Sequence, residues 1–259
     1  MQRVFLGKTG IEVSKLCLGT GTVGGNHTSR QTRSLGLKGL ADLIVYAYEK
    51  GITFIDTADA YGSHPHIREA LRRIPREHVA IATKTVAKTA NQMKADLDRF
   101  RQELGVDYLD IVLLHCMMNP DWNIQRRSVM DVLSEAKARG VVQAVGCSNH
   151  EYGALCTAAQ EPWVDVVLVR LNSQGILMEG EPSDIISVIL QMQANGKGTY
   201  GMKVMGEGQL RHDPKSAIQY QLKAPVDAFV IGMESRAEVD ENVRLVEKLT
   251  LLQTKAAVD

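Results

Sequence analysis

The chain carries no surplus of charge of either sign: thirty Lys and Arg residues are matched by thirty Asp and Glu. Nucleic acids and anionic membrane surfaces select basic proteins, so neither is expected as a partner. No stretch approaches the ~18 uninterrupted apolar residues of a membrane span. The opening MQRVFLGKTG lacks the apolar core of a signal peptide. Cysteine is scarce. The four present, Cys17, Cys116, Cys147 and Cys156, form no C-x-x-C pair and no zinc-like spacing, and most sit in apolar runs. Buried free thiols in a reducing cytoplasm are therefore expected. A Pro/Gly/Ser-rich linker is also missing, so residues 1–259 are expected to form one domain. What is present is a globular composition, 44% hydrophobic and 23% charged, which excludes disorder.

Apolar runs of strand length alternate with helical patterns from end to end. The runs are residues 15–18, 53–55, 79–83, 108–114, 143–147, 164–171, 200–205 and 228–231. Between and after them, apolar residues recur at i, i+3, i+4 and i+7, as in Leu40, Leu43, Ile44 and Ala47, or Val239, Val243 and Val246. Less regular helical segments fill 92–104, 152–159 and 215–222. Several strands are apolar on both faces, as in a parallel sheet covered on both sides. Eight β-then-α units in this length predict an α/β protein, a closed (β/α)8 TIM barrel, with a doubly wound open sheet as the alternative. Residues 1–14 read as a β-hairpin closing the barrel's N-terminal end. The polar segment from Gly24 to Leu37 has no periodicity and reads as a functional loop.

In such a barrel, chemistry sits at the C-terminal ends of the strands. Those ends carry Gly19 and Thr20, Asp56 with Tyr61 just after it, Lys84, His115, Ser148 and Asn149, Asn172, Lys203, and Gly232. Individually each has an ordinary explanation: a turn cap for Asp56, packing for Tyr61, a neutral core histidine for His115. A lysine after the run VAIAT is harder to explain, since it would be buried and would need a carboxylate such as Asp56. Together the four suit proton donation to a carbonyl oxygen. An ammonium beside a phenol stabilises the phenolate and lowers a pKa of ~10, so Lys84 would tune Tyr61. Asp56 would hold Lys84 and His115 would orient the carbonyl, while the hydride would come from a cofactor.

The stretch FIDTADAYG, followed by IATKT and LLH at successive strand ends, resembles the aldo-keto reductase family. The family's Asp, Tyr, Lys and His tetrad matches Asp56, Tyr61, Lys84 and His115. Leu16 to Gly21 resembles its first strand and glycine-threonine turn. GCSNH resembles its Ser-Asn pair beneath the nicotinamide amide, and ENVRL its adenine-binding Glu-Asn segment. The resemblance implies a barrel that reduces an aldehyde or ketone with NADPH, NADH being possible, and a monomer as default. It implies cofactor contacts from Gly19, Thr20, Gly21, Asp56, Ser148, Asn149, Met202, Lys203, Gly232, Arg236, Glu238, Glu241 and Asn242. Leu168 stands where the family often has a glutamine, and Met202 where many members stack a tyrosine on the nicotinamide. Glu238 disfavours a 2′-phosphate by charge, with Arg236 in compensation, so it leaves NADH open. Trp122, just beyond His115, is the aromatic expected to line the substrate pocket.

Two other patterns point elsewhere. Gly19, Gly21 and Gly24 spell G-x-G-x-x-G, but no helix follows directly, so they read as a loop that admits the cofactor. His64 and His66 suggest a metal-dependent hydrolase, but Pro65 divides them and a helix begins at once. Two exposed helix-start histidines, and no metal, are expected. A nicotinamide-binding sensor without turnover is the remaining alternative.

Overall fold

Strands that are apolar on both faces need neighbours on both edges and cover on both sides, and a closed parallel barrel wrapped in helices supplies both. The computed structural model describes residues 1–256, so the last three residues of the 1–259 reading lie outside it. A hairpin of β1 (Arg3–Phe5) and β2 (Glu12–Ser14) precedes eight parallel strands: β3 (Leu16–Gly19), β4 (Phe54–Asp56), β5 (Ala80–Thr85), β6 (Leu109–Met117), β7 (Val142–Asn149), β8 (Val166–Arg170), β9 (Gly198–Met202) and β10 (Ala228–Gly232). They pair in chain order and β10 closes back on β3. The helices are α1 (Arg30–Glu49), α2 (His64–Leu71), α3 (Ala90–Leu104), α4 (Trp122–Gln125), α5 (Arg127–Ala138), α6 (Tyr152–Gln160), α7 (Pro182–Ala194), α8 (Pro214–Lys223) and α9 (Arg236–Ala256). The expected barrel is the observed one.

The hairpin plugs the bottom. Leu6, Ile11 and Val13 pack into the cluster of lumen side chains. Gly7 N–H donates to Asp227 Oδ2 at 3.1 Å and Lys8 N–H to Gly196 O at 2.9 Å, just ahead of β10 and β9.

Strand alternation separates two cores. Phe54, Ala80, Ala82, Ile111, Leu113, Ala144, Val166, Leu168, Tyr200 and Ala228 fill the lumen. Ile55, Ile81, Val112, Val145, Val167 and Val169 face the helices. Two residues further along the inward series stand Asp56, Lys84, His115, Arg170 and Met202, so the period of two delivers these side chains to the mouth.

Two sequence readings change. The strand expected over 200–205 is Gly198–Met202, because Lys203 turns the chain with φ +61°. The polar stretch 24–37 is a loop only as far as Thr28. Ser29 Oγ accepts from Thr32 N–H and Thr32 Oγ1 accepts from Ser29 N–H, a capping box that starts α1 at Arg30. Gly36 at φ +64° kinks that helix, so its first turns do not share the apolar phase of residues 40–48.

Candidate active site

Lys84 lies at the end of β5 with no exposed surface, and a buried ammonium is tolerable only when paired and hydrogen-bonded. Its Nζ donates to both carboxylate oxygens of Asp56 at 2.8 Å and to Thr57 O at 2.7 Å. A second donor to the Asp56 carboxylate went unrecognised in the sequence: Tyr200, fully buried in the lumen, gives its hydroxyl proton to Oδ2 at 2.8 Å. The signal was there. A tyrosine at an inward position of the small-residue strand GTYGM needs a partner for its hydroxyl. Burial presses the Lys84 pKa down, but the Asp56 carboxylate outweighs it and holds the ammonium above its ordinary value.

Tyr61 closes a 3-10 turn, Asp59–Tyr61, directly after β4. Lys84 Nζ lies 5.1 Å from its ring centroid, and the His115 ring meets it edge-on at 5.7 Å. The expectation that Lys84 brings the phenol below its usual pKa is corrected. Burial pushes Tyr61 up, Lys84 pulls against it, and the Asp56 charge adds to the rise, leaving the phenol raised. At neutral pH it is a protonated donor. His115 is pushed down to about 3, first by burial and then by the Lys84 and His150 charges. It is therefore neutral, able to donate one hydrogen bond but not to act as a charged acid. A bulge in β6 after Leu114 precedes Cys116 at φ +59°, whose N–H donates to Ser148 Oγ at 2.9 Å. Bulges are common next to functional sites, and this one falls at His115 and Cys116.

The glycines of GTGTVG serve the tyrosine. A Cβ on Gly21 would lie 2.4 Å from Tyr61 Cε2, and one on Gly24 2.6 Å from Cδ1. The loop lies against the ring at a distance only glycine permits. Gly21→Ala must displace the ring. An error of about 1 Å in a reacting group costs up to about 10²-fold, so kcat should fall at least 10-fold while Tm moves by only a few degrees. Unchanged kcat in the purified variant would sink this account of the loop.

The remaining strand ends divide. Ser148 and Asn149 are 1% exposed at the end of β7, Met202 is half-buried at the end of β9, and Gly232 is exposed at the end of β10. Thr20 is fully buried, its hydroxyl donating to Asp56 O at 3.0 Å and sharing a proton with Ser63 Oγ at 2.8 Å. It braces the strand ends. Gln31, which the sequence reading passed over, ties the same region: Nε2 donates to Gly19 O and Met233 O, and Oε1 accepts from Thr22 N–H.

Around α9, Glu238 is engaged in capping. Its carboxylate accepts from Glu234 N–H at 2.6 Å, and its own N–H donates to Ser235 Oγ at 3.2 Å. This is the S-x-x-E pattern of a helix start, legible in ESRAE but unread. Arg236 stacks on the Tyr46 ring at 4.8 Å. Glu241 is exposed. Asn242 donates to Glu238 O while its Oδ1 is buried without a partner, and so is Thr22 Oγ1 beside Gly232.

Other expectations are corrected. Trp122 is 1% exposed within the outer core, its indole N–H donating to Ala154 O at 3.1 Å, so it has no surface for substrate. Lys203, just past β9, forms an ion pair with the exposed Glu207. His64 is 2% exposed rather than surface-lying, with Nδ1 2.7 Å from Glu103 Oε2 and Nε2 2.8 Å from Thr83 Oγ1. Both ring nitrogens are committed, which leaves the His64 and His66 pair no means of gripping a metal together. Cys17 and Cys147 are buried thiols, whereas Cys116 and Cys156 are partly exposed.

A barrel enzyme with its polar groups gathered at one mouth is thus defined by fold and site. The family model of the aldo/keto reductase family matches residues 15–216, and the chain belongs to that family. It is 26% identical over 204 residues to the NADH-specific methylglyoxal reductase of Escherichia coli, across 70% of this chain and 62% of that protein. The chain therefore spans less than two thirds of that relative. Over 241 residues it is 28% identical to the aldo-keto reductase YhdN of Bacillus subtilis, covering 83% and 70% of the two chains. The holo form of the aldo-keto reductase AKR11C1 of Bacillus halodurans superimposes with a TM-score of 0.76 at 20% identity, over 95% of this chain and 91% of that one, which speaks to the fold. No described helix is long and apolar enough to cross a membrane.

Proposed function

We propose that residues 1–259 act as one domain that reduces an aldehyde or ketone to an alcohol, reversibly, with NADPH preferred and NADH accepted. The observation that carries the reading is the buried pair of Lys84 and Asp56 beside a protonated Tyr61, with the neutral His115 ring edge-on to the same phenol. The residues fit a nicotinamide dinucleotide: the partnerless Asn242 Oδ1 and Thr22 Oγ1 are polar atoms that a ligand would satisfy. Ser148, Asn149 and Met202 would hold the nicotinamide end. Gly19, Gly21, Gly232 and Lys203 would lie along the phosphates, and Arg236, Glu241 and Asn242 at the adenosine end. When bound, the cofactor supplies the hydride.

The protein's own part is the proton and the geometry. His115 donates a hydrogen bond to the carbonyl oxygen and fixes its direction. Tyr61 Oη gives its proton to that oxygen as negative charge develops there. Lys84 stabilises the phenolate left behind, and Asp56, itself held by Tyr200, keeps the ammonium in place. General acid catalysis of this kind contributes about 10²- to 10⁴-fold.

The preference for NADPH rests on Glu238, whose carboxylate is taken up by the Glu234 amide, and on the exposed Arg236, whose guanidinium lies over the Tyr46 ring. Calorimetric titration with the two cofactors tests this directly. NADPH should bind the more tightly, and Arg236→Ala should weaken NADPH about 10-fold with little change for NADH, the size of one charge-assisted contact. Equal losses for both cofactors would remove Arg236 from the phosphate site, and binding of neither would remove the reductase reading.

A further inference from the structure

Arg170 is the one full cation on the inward series of β8. Val166 and Leu168 below it lie in the lumen, while Val167 and Val169 face the helices, so the alternation places Arg170 above Leu168 at the mouth. Its NH2 donates to His150 Nδ1 at 2.5 Å, and His150 Nε2 lies 3.5 Å from the sulfur of Cys116, the residue after His115. The guanidinium is therefore linked through two side chains to the group that meets the carbonyl.

It is also under-used. Of the five N–H donors of a guanidinium, one goes to His150 and one to Leu177 O at 3.0 Å. Nε lies 3.4 Å from Glu179 Oε1, yet neither atom makes a hydrogen bond. The Glu179 side chain is 2% exposed, and burial raises it to about 7, so near neutrality it cancels only part of the Arg170 charge. His150 is pushed down to about 4, by burial and then by Arg170 itself, and stays neutral. On the neighbouring strand end Lys203 adds a second cation, paired with the exposed Glu207. A neutral aldehyde would leave the spare N–H groups of Arg170 unmatched. A planar carboxylate matches the guanidinium fork.

Resting on the reductase reading of the same mouth, we infer that Arg170 forms an anion subsite and that the substrate is a carbonyl compound bearing a carboxylate, a small oxo acid. The competing role for Arg170 is a brace for the loop of residues 172–181 through Leu177 and Glu179.

Matched pairs test it: glyoxylate against glycolaldehyde, and succinic semialdehyde against butanal, each with saturating NADPH. The wild-type kcat/KM should favour the acid by about 10- to 100-fold, the factor carried by charge-assisted hydrogen bonds. Arg170→Met should collapse that ratio to near one, and Arg170→Lys should restore part of it. A wild-type ratio near one, or a ratio that survives in Arg170→Met while Tm falls, overturns the subsite in favour of the loop brace. A second arm separates this from failure of the reductase reading. Calorimetry of succinate binding to the protein with NADP⁺ needs no turnover. Binding by wild type that is lost in Arg170→Met supports the subsite even if no carbonyl is reduced, and no binding by wild type overturns it.

Discussion

Tyr61→Phe should lower kcat for carbonyl reduction by about 10²- to 10⁴-fold, the range a positioned general acid contributes, while calorimetry finds NADPH affinity within a few-fold of wild type. In the proposed mechanism the phenol gives the proton, and its loss removes one oxygen from a ring that still packs against His115 and the loop at Gly21 and Gly24. The pH dependence of the wild type carries the same argument. Burial and the Asp56 charge hold Tyr61 above its ordinary value against the pull of Lys84, so it remains protonated through neutrality. Reduction should be flat there and decline only at alkaline pH. His115 stays neutral down to about 3, so no acidic limb between pH 4 and 7 should arise from it. A variant that kept its activity would point to His115 as the acid, as would an inflection near the ordinary histidine pKa that vanished in His115→Asn.

Lys84→Met should cost both activity and fold. Removing one member of a buried ion pair leaves the other without compensation, which typically destabilises by about 3 to 5 kcal/mol. Here Asp56 would keep only the Tyr200 hydroxyl of its lumen donors. Chemical denaturation should show the loss at pH 7. The sign with pH follows from linkage: folding raises the Lys84 pKa above its reference of 10.5, so the pair's contribution is complete below that value and fades as pH climbs through the higher folded value. The difference between wild type and variant should therefore be constant through neutrality and shrink only in strong alkali. The double variant Asp56→Leu with Lys84→Met removes both charges and should recover much of the stability, though not the activity. If the single variant unfolds like wild type, the pair is not the anchor described here.

How far the sequence reached differs between fold and site. The eight β/α units, the hairpin and the four residues Asp56, Tyr61, Lys84 and His115 were legible, because strand ends follow from apolar periodicity and polar residues after apolar runs are few enough to name. The lumen partner Tyr200 was missed because its strand reads as small and irregular. The capping role of Glu238 went unread because its charge was weighed before the S-x-x-E pattern that employs it. Trp122 was expected at the mouth from its nearness to His115 in the chain, but the short helix α4 carries it into the outer core instead.

What the sequence by itself determined is the architecture and which polar residues stand at the strand ends, since periods of 2 and 3.6 and the chemistry of side chains are local properties. The tertiary structure alone decided the balance of forces on them. Whether burial or Lys84 governs the phenol of Tyr61, whether Glu179 cancels Arg170, and whether a histidine is exposed or spent all depend on desolvation and on distances between groups far apart in the chain. Tyr200 and Asp56, separated by 144 positions, meet only because the barrel closes.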